Sequence, residues 1–253
     1  MAMKKSHRIL VLCLTVVVVL IGAVVAMLMT FKAGMRLIPT GEVIPGVYAV
    51  KDGIVNMYVV KGGAGAIAID AAMDADHVAA GLKQIGLDAR AISAVFLTHS
   101  DSDHVGGIAA MPNAAVYMSK AEEQMVDGRT KRMLFFSNHL ARAHQSLDDG
   151  QTLPAAGMTV KCIATPGHTP GSMSFIVNGM YLFTGDTLRI HDGKAALFNR
   201  FINMDTDTQI RSIAALSALT GITHVFTAHH GFSADFRTLF ADYLKTESFS
   251  RRR

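Results

Sequence analysis

His99-Ser100-Asp101-Ser102-Asp103-His104 sets four metal-capable side chains within six residues, directly after the apolar run Ile92-Ser-Ala-Val-Phe-Leu97. Residues 99, 101 and 103 alternate, so in an extended segment their side chains leave on one side. Asp103 and His104 then open a helix that continues Val105-Gly106-Gly107. One loop of this kind can feed two metal ions. A His-Ser-Asp triplet alone would read as a polar surface loop, but three further segments accompany it.

They are Thr165-Pro-Gly-His168-Thr-Pro-Gly171, Phe183-Thr-Gly-Asp186-Thr187 and Thr227-Ala-His229-His230-Gly231. Each follows or closes a short apolar, strand-like run: Val160 to Ala164, Tyr181 to Phe183, and His224 to Phe226. Each polar residue therefore falls at a strand end. Ligands drawn from several strand ends onto one sheet edge make a site that local sequence cannot.

With these four motifs in order, the stretch from Gly46 to Phe232 resembles the metallo-β-lactamase superfamily of metallohydrolases. The resemblance implies an α/β (α+β) fold, an αββα sandwich of two mixed sheets with helices outside and a dinuclear site at one edge. By motif position, His99, Asp101 and His168 would hold the first metal. Asp103, His104 and His230 would hold the second, and Asp186 would bridge both. His230 is chosen over its neighbour because the family's closing ligand directly precedes a glycine, here Gly231; His229 is then a pocket-lining or supporting residue. Asp70, closing Ala66-Ile-Ala-Ile-Asp70, matches a carboxylate that supports the site from behind the ligands, although it also suits a helix cap before Met73 to Ile85.

The chain departs from the family pattern His-x-His-x-Asp-His at its second histidine, which here is Asp101. Three anionic ligands, Asp101, Asp103 and Asp186, would then face two divalent cations. Zinc is the expected ion, with manganese or iron admitted by the added carboxylate. The chemistry implied is hydrolysis of an ester, lactone, thioester, amide or phosphoester by a metal-activated water, with Asp103 orienting it as well as binding metal. Catalysis would rest on Asp103 and Asp186, and Arg189 and His191 stand near enough in sequence to hold an anionic substrate group at the rim. The competing expectations are a di-iron redox protein of the flavodiiron type, which also carries a carboxylate at the middle position, and a catalytically silent metal-binding module. No flavin domain follows the lactamase-like region, and no other ligand position is lost.

The 253 residues are 50% hydrophobic and 17% charged, enough core material for one domain of about 200 residues plus an extra segment. The net charge of +4 is scattered, which argues against nucleic acid and leaves a small-molecule substrate as the expected partner. The extra segment is N-terminal: Ile9 to Phe31 lacks Asp, Glu, Lys and Arg, a run that as one helix would cross about 30 Å of hydrocarbon. Residues 1–36 are therefore expected to form a cytoplasmic stub and membrane anchor through residues 9–31, and 37–253 the catalytic domain on the periplasmic or extracellular side. A cleaved signal peptide ending near Val24-Val25-Ala26 is the alternative. Cys13 and Cys162 are too differently placed for a disulfide, and Cys162 reads as a buried apolar residue. His7, His77, His139, His144 and His224 show no ligand-like spacing.

Strands are expected near Gly46 to Val50, Val55 to Val60, Ala66 to Asp70, Ile92 to Leu97, Ala115 to Met118, Met158 to Ala164, Met173 to Val177, Tyr181 to Phe183 and His224 to Phe226. Helices are expected at Met73 to Ile85, Asp103 to Ala110, Lys120 to Val126, Asp207 to Leu219 and Ala234 to Lys245. Ser119-Lys-Ala-Glu122 and Thr206-Asp-Thr-Gln209 have the form of capping boxes. The stretch Asp127 to Ser146, with Arg129, Lys131, Arg132, Phe135, Phe136 and Arg142, suits either a lid over the cleft or a pair of solvated helices on the core.

Overall fold

The structure is a computed structural model that describes residues 10–19, 21–22, 34–132 and 135–243. The chain divides into two compact units, Met1–Met35 and Arg36–Arg253.

In the first unit, residues 10–19 and 21–22 are helical and exposed. Ten helical residues rise only about 15 Å, half of a hydrocarbon core. No helix among the described residues is long and apolar enough to cross a membrane. The expectation of a single-pass anchor, with the catalytic domain held outside, is corrected accordingly; the rest of the Ile9 to Phe31 run lies outside the described residues.

The second unit contains two main sheets. The first runs in spatial order β1 (Gly41–Ile44), β2 (Val47–Asp52), β3 (Val55–Gly62), β4 (Gly65–Ile69), β5 (Ile92–Phe96), β6 (Ala115–Ser119) and β7 (Gln145–Leu147). Its first four strands pair antiparallel and the rest parallel. The second sheet has the order β15 (Phe232–Ser233), β14 (His224–Phe226), β11 (Tyr181–Phe183), β10 (Met173–Val177), β9 (Met158–Ala164) and β8 (Thr152–Ala155). A separate hairpin joins β12 (Leu188–His191) to β13 (Lys194–Leu197).

Alternation along the strands decides the layers. On β3, Tyr58 and Val60 face inward with Ile67, Ile69 and Phe96, and these meet Val160, Cys162, Phe175, Phe183 and Phe226 of the second sheet. Met57 and Val59 face outward and pack with Val78 and Leu82 of helix Ala75–Gln84. Across the molecule, Ile176, Leu182 and Val225 pack with Ile213 and Leu216 of helix Thr206–Ser217. Helix, sheet, sheet, helix is thus the order of layers, as the resemblance implied. Cys162 is buried between the sheets, and its thiol is pushed up to about 12 by burial and then by Asp149.

The nine expected strands are present, four of them with the expected ends; β1, β7, β8, β12, β13 and β15 were not anticipated. Expected helix Asp103 to Ala110 is broken into Ser102–Val105 and a 3-10 turn Ile108–Ala110. The cause is the Gly106-Gly107 pair: a Cβ on Gly107 would lie 2.3 Å from the Ala71 carbonyl oxygen, so the chain folds tightly against the end of β4 there. Lys120 to Val126 likewise divides into a 3-10 turn and the short helix Glu123–Val126. At the C-terminus the helix is Phe236–Leu239, and Lys245 lies outside the described residues.

Candidate metal centre

The four motifs meet at one edge of the sandwich. The 99–104 loop leaves the C-terminal end of β5, His168 sits in the turn between β9 and β10, Asp186 follows β11, and the 227–231 turn follows β14. Asp101 caps helix Ser102–Val105 by its backbone alone, which leaves its carboxylate to the site.

His99, Asp101 and His168 form one potential ligand group, Asp103, His104 and His229 a second, and His99, His104 and Asp186 a third. Asp186 lies between them: its Oδ1 is 3.1 Å from His229 Nε2 and 3.6 Å from His104 Nε2, while its Oδ2 is 3.5 Å from His168 Nε2. Asp103 Oδ2 stands 3.5 Å from His229 Nε2 and 3.8 Å from His104 Nε2. Spacings of 3.1 to 3.8 Å are those of ligand atoms about 2.0–2.2 Å from a shared ion. His99 Nε2, His104 Nε2 and Asp186 Oδ1 are buried without a hydrogen-bond partner, which is costly unless something else satisfies them. Imidazole and carboxylate donors with open lone pairs suit a divalent cation.

Each histidine is aimed through its other nitrogen. His104 Nδ1 lies 2.9 Å from Asp70 Oδ2, and Asp70 also accepts from the Thr98 amide at 2.7 Å and the Thr98 hydroxyl at 2.9 Å. Asp70 holds this position at a φ of 62°, a conformation uncommon for a side chain other than glycine. Its alternative reading as a helix cap does not hold, because Asp74 caps Ala75–Gln84. His99 Nδ1 is 3.0 Å from Thr98 Oγ1, and His168 Nδ1 is 3.3 Å from Asn203 Oδ1.

Of the adjacent histidines, the structure brings His229, and not the expected His230, into a potential ligand group. His229 Nδ1 donates to the Ile54 carbonyl oxygen at 2.6 Å, and this turns Nε2 toward Asp103 and Asp186. His230 instead bonds through its backbone amide to Thr227 Oγ1 at 3.0 Å and sets its ring 5.7 Å from that of Phe198. The Thr227 amide to Gly231 carbonyl bond closes the turn, with Gly231 at a φ of 77°, and leaves residue 229 on the metal side. His229→Ala is therefore expected to weaken metal binding by about 100-fold and His230→Ala by less than about 10-fold, measured by competition with a chelator. The reverse order would restore the original choice.

Burial alone would raise Asp186 and Asp101, but their histidine and arginine neighbours prevail. His229 and His104 hold Asp186 well below the usual carboxylate range, and His99, His168 and Arg132 do the same for Asp101. Burial would lower His104, but Asp70, Asp103 and Asp186 push it up to about 10 without a metal. A proton on His104 and an ion at its Nε2 exclude each other, so metal affinity should climb as pH rises toward that value. Apparent zinc affinity measured between about pH 6 and about pH 8 should therefore increase with pH, by up to about tenfold per unit; a flat profile would mean that His104 carries no proton for the ion to displace in this range.

Several neighbours lacked a sequence signal. Glu122 is fully buried and binds both ligand loops: Oε1 accepts from the Ser100 amide at 2.9 Å and hydroxyl at 2.6 Å, Oε2 from the Thr169 hydroxyl at 2.6 Å and the Gly171 amide at 3.1 Å. Its capping-box appearance is misleading, because Ser119 caps by itself through the Ala121 amide. Gln209 is similar: Asp205 caps that helix, and Gln209 Nε2 donates to the Asp186 and Thr187 carbonyls at 2.8 and 2.7 Å. From the 127–146 stretch, Asn138 donates to Ser100 Oγ at 2.8 Å and Asp101 Oδ1 at 2.9 Å, while Arg132 pairs with Asp101. This stretch crosses the site, and its described part holds a single bridge, Arg132 to Phe136, between helix Glu123–Val126 and β7, not the pair of helices. The rim assignments fare differently. His191 is exposed on the β12–β13 hairpin, 3.6 Å from Asp192, and neither it nor Arg189 bonds to the ligand cluster.

Histidine and carboxylate donors converging on one edge of a two-sheet sandwich define a metallohydrolase-type centre. The chain belongs to the metallo-beta-lactamase superfamily, whose sequence profile matches residues 50–229. Among curated relatives, a probable polyketide biosynthesis zinc-dependent hydrolase of Bacillus velezensis is 34% identical over 126 residues, 49% of this chain and 49% of that protein. A hydroxyacylglutathione hydrolase of Aeromonas hydrophila is 32% identical over 155 residues, 59% of this chain and 52% of that one. A hydroxyacylglutathione hydrolase of Gloeobacter violaceus is 32% identical over 187 residues, 72% and 65% of the two chains. The matched region spans about half the length of the first of these relatives. Among solved structures, a B3 metallo-beta-lactamase with an active-site glutamic acid superimposes with a TM-score of 0.66 at 20% identity, covering 89% of this chain and 94% of that one. The Cronobacter sakazakii metallo-beta-lactamase with a HARLDQ motif gives 0.66 at 23%, covering 88% and 97%. These structures share the fold. The expected class, a hydrolase of this superfamily, agrees with relatives that are themselves named hydrolases.

Proposed function

We propose that the chain is a metal-dependent hydrolase of acyl compounds, with its catalytic ion among Asp103, His104, Asp186 and His229. The observation that carries this reading is the convergence of His104 Nε2, His229 Nε2 and Asp186 Oδ1, two of them buried with no hydrogen-bond partner. His99, Asp101 and His168 form a second potential ligand group beside it. A divalent ion, zinc by analogy with the polyketide-pathway relatives, supplies Lewis acidity to the scissile carbonyl and lowers the pKa of water.

The protein's own groups divide the remaining work. Asp103, more exposed than Asp186, stands at the open side, where its carboxylate orients the attacking water and accepts its proton. Asp70, through His104, fixes the ring that receives the ion. The acyl carbon gains an oxygen from water, its bond to the leaving group breaks, and the leaving group departs with the proton Asp103 has taken. Phe135, Phe136 and Phe201 are exposed: the first two lie beside Arg132 in sequence, and the third adjoins Ile202, whose carbonyl Arg132 reaches. Such apolar surface suits the acyl part of a substrate.

Relatives named for hydroxyacylglutathione favour a thioester over a lactam. Zinc-reconstituted full-length protein assayed with S-lactoylglutathione, short-chain p-nitrophenyl esters and a penicillin should hydrolyse the first two classes and be slowest on the third. Hydrolysis of the penicillin alone would overturn the substrate class, and no hydrolysis of any would overturn the reading.

A further inference from the structure

We propose that Arg132 fills the second metal position, so that the centre holds one tightly bound ion beside a guanidinium. The inference rests on the metal-centre reading above and refines it. The guanidinium lies directly on the ligand atoms of the His99, Asp101 and His168 group. Nη2 bonds to Asp101 Oδ2 and is 2.6 Å from His168 Nε2, and Nε donates to Asp101 Oδ1 at 3.0 Å. Nη1 donates to the His168 carbonyl at 3.1 Å and to the Ile202 carbonyl.

Two of the three donor atoms in that group therefore already serve one cationic nitrogen. Asp101 Oδ2 and His168 Nε2 are 3.2 Å apart, and an ion at about 2.0–2.2 Å from both would lie on the order of 3 Å from Nη2. Arginine stays protonated and has no lone pair to offer a metal, so the two cations would lie side by side with only the Asp101 carboxylate shared between them. The lone pair of His168 Nε2 faces Nη2, the same lone pair an ion would need.

The arginine is also anchored. Asn138, six residues further on, donates to Asp101 Oδ1 and Ser100 Oγ, and Arg142 donates to the Met111 and Pro112 carbonyls at 2.7 and 2.5 Å. Described residues of the 127–146 stretch are thus tied to the ligand loop through Arg132 and Asn138, and to the Met111-Pro112 turn through Arg142. The carboxylate at 101 belongs to this arrangement: a bidentate partner for arginine stands where the family pattern has a neutral imidazole. Among the described residues, the Arg132 side chain bonds to Asp101, His168 and Ile202 and not to Asp103, His104, His229 or Asp186, and His104 Nε2 and Asp186 Oδ1 keep open lone pairs.

The test is cobalt(II) titration of the metal-free full-length protein, followed by its ligand-field absorption, with metal content after gel filtration measured by mass spectrometry. Wild type should retain about one ion per chain and bind a second at least about 100-fold more weakly. Arg132→Met, which keeps an apolar stem and removes the charge, should retain about two. Wild type binding two ions with like affinity would overturn the proposal while leaving the metal centre intact, whatever the variant does. A variant that folds, by circular dichroism, and still retains one ion would overturn it too. Absence of cobalt binding in wild type would overturn the metal-centre reading itself.

Discussion

Asp186→Ala should lower kcat/KM by about 10³-fold or more, about 4 kcal/mol in transition-state stabilisation, and should release metal from the protein. Asp186 is the one carboxylate that faces both ligand groups, Oδ1 toward His104 and His229 and Oδ2 toward His168. Removing it leaves two buried imidazoles without their shared anion. It also removes a charge that the fold has arranged to keep ionised, since His229 and His104 overcome the burial that would otherwise neutralise it. Asp186→Asn separates the two roles: size and backbone contacts survive, including the Gln209 bond to the residue 186 carbonyl, while the charge is lost. Both variants should fold and both should lose activity. Full metal content with full activity in either would show that Asp186 does not bind the ion.

Glu122→Ala should destabilise the domain by about 4 kcal/mol, read as a lower urea midpoint or a melting temperature down by about 10 °C. Four donors from two loops converge on this buried carboxylate, and each left unpaired costs about 1–3 kcal/mol. Water entering the space recovers part of that, which keeps the net below the sum. The close approach is strict at Gly171, where a Cβ would lie 2.1 Å from the Glu122 amide nitrogen. Glu122→Gln should cost less, because one oxygen remains to accept. Because Ser100 and Thr169 adjoin His99 and His168, both variants should also weaken the ion's hold. A loss of less than about 1 kcal/mol for Glu122→Ala would mean that the loops are held by other contacts.

Strand ends carrying His99, His168 and Asp186 were legible because each follows an apolar run whose alternation local residues determine. The distinction between His229 and His230 was not, because it depends on the Ile54 carbonyl, far away in the chain, and on the turn closed by Thr227 and Gly231. Glu122 was concealed by a local pattern of equal form: Ser-x-x-Glu reads as a cap, yet the glutamate turns away to loops that the sequence cannot place beside it. Arg132 shared a basic and apolar stretch with Arg129, which among the described residues pairs with its neighbour Asp127. Only the folded path decides which arginine reaches Asp101. Some missed elements did carry a signal. Asp192-Gly193 joins β12 to β13 with both residues at positive φ, the preference of a two-residue hairpin turn. The single-pass anchor expected of the Ile9 to Phe31 run is corrected because no helix among the described residues, 10–19 and 21–22 in that run, is long and apolar enough to cross a membrane.

Anomalous diffraction at the zinc edge, from crystals of the full chain grown with zinc, tests the metal centre most directly. The account predicts a strong peak bounded by His104 Nε2, His229 Nε2, Asp103 and Asp186, with Arg132 still against Asp101. A peak on His230, or none among these side chains, would contradict it.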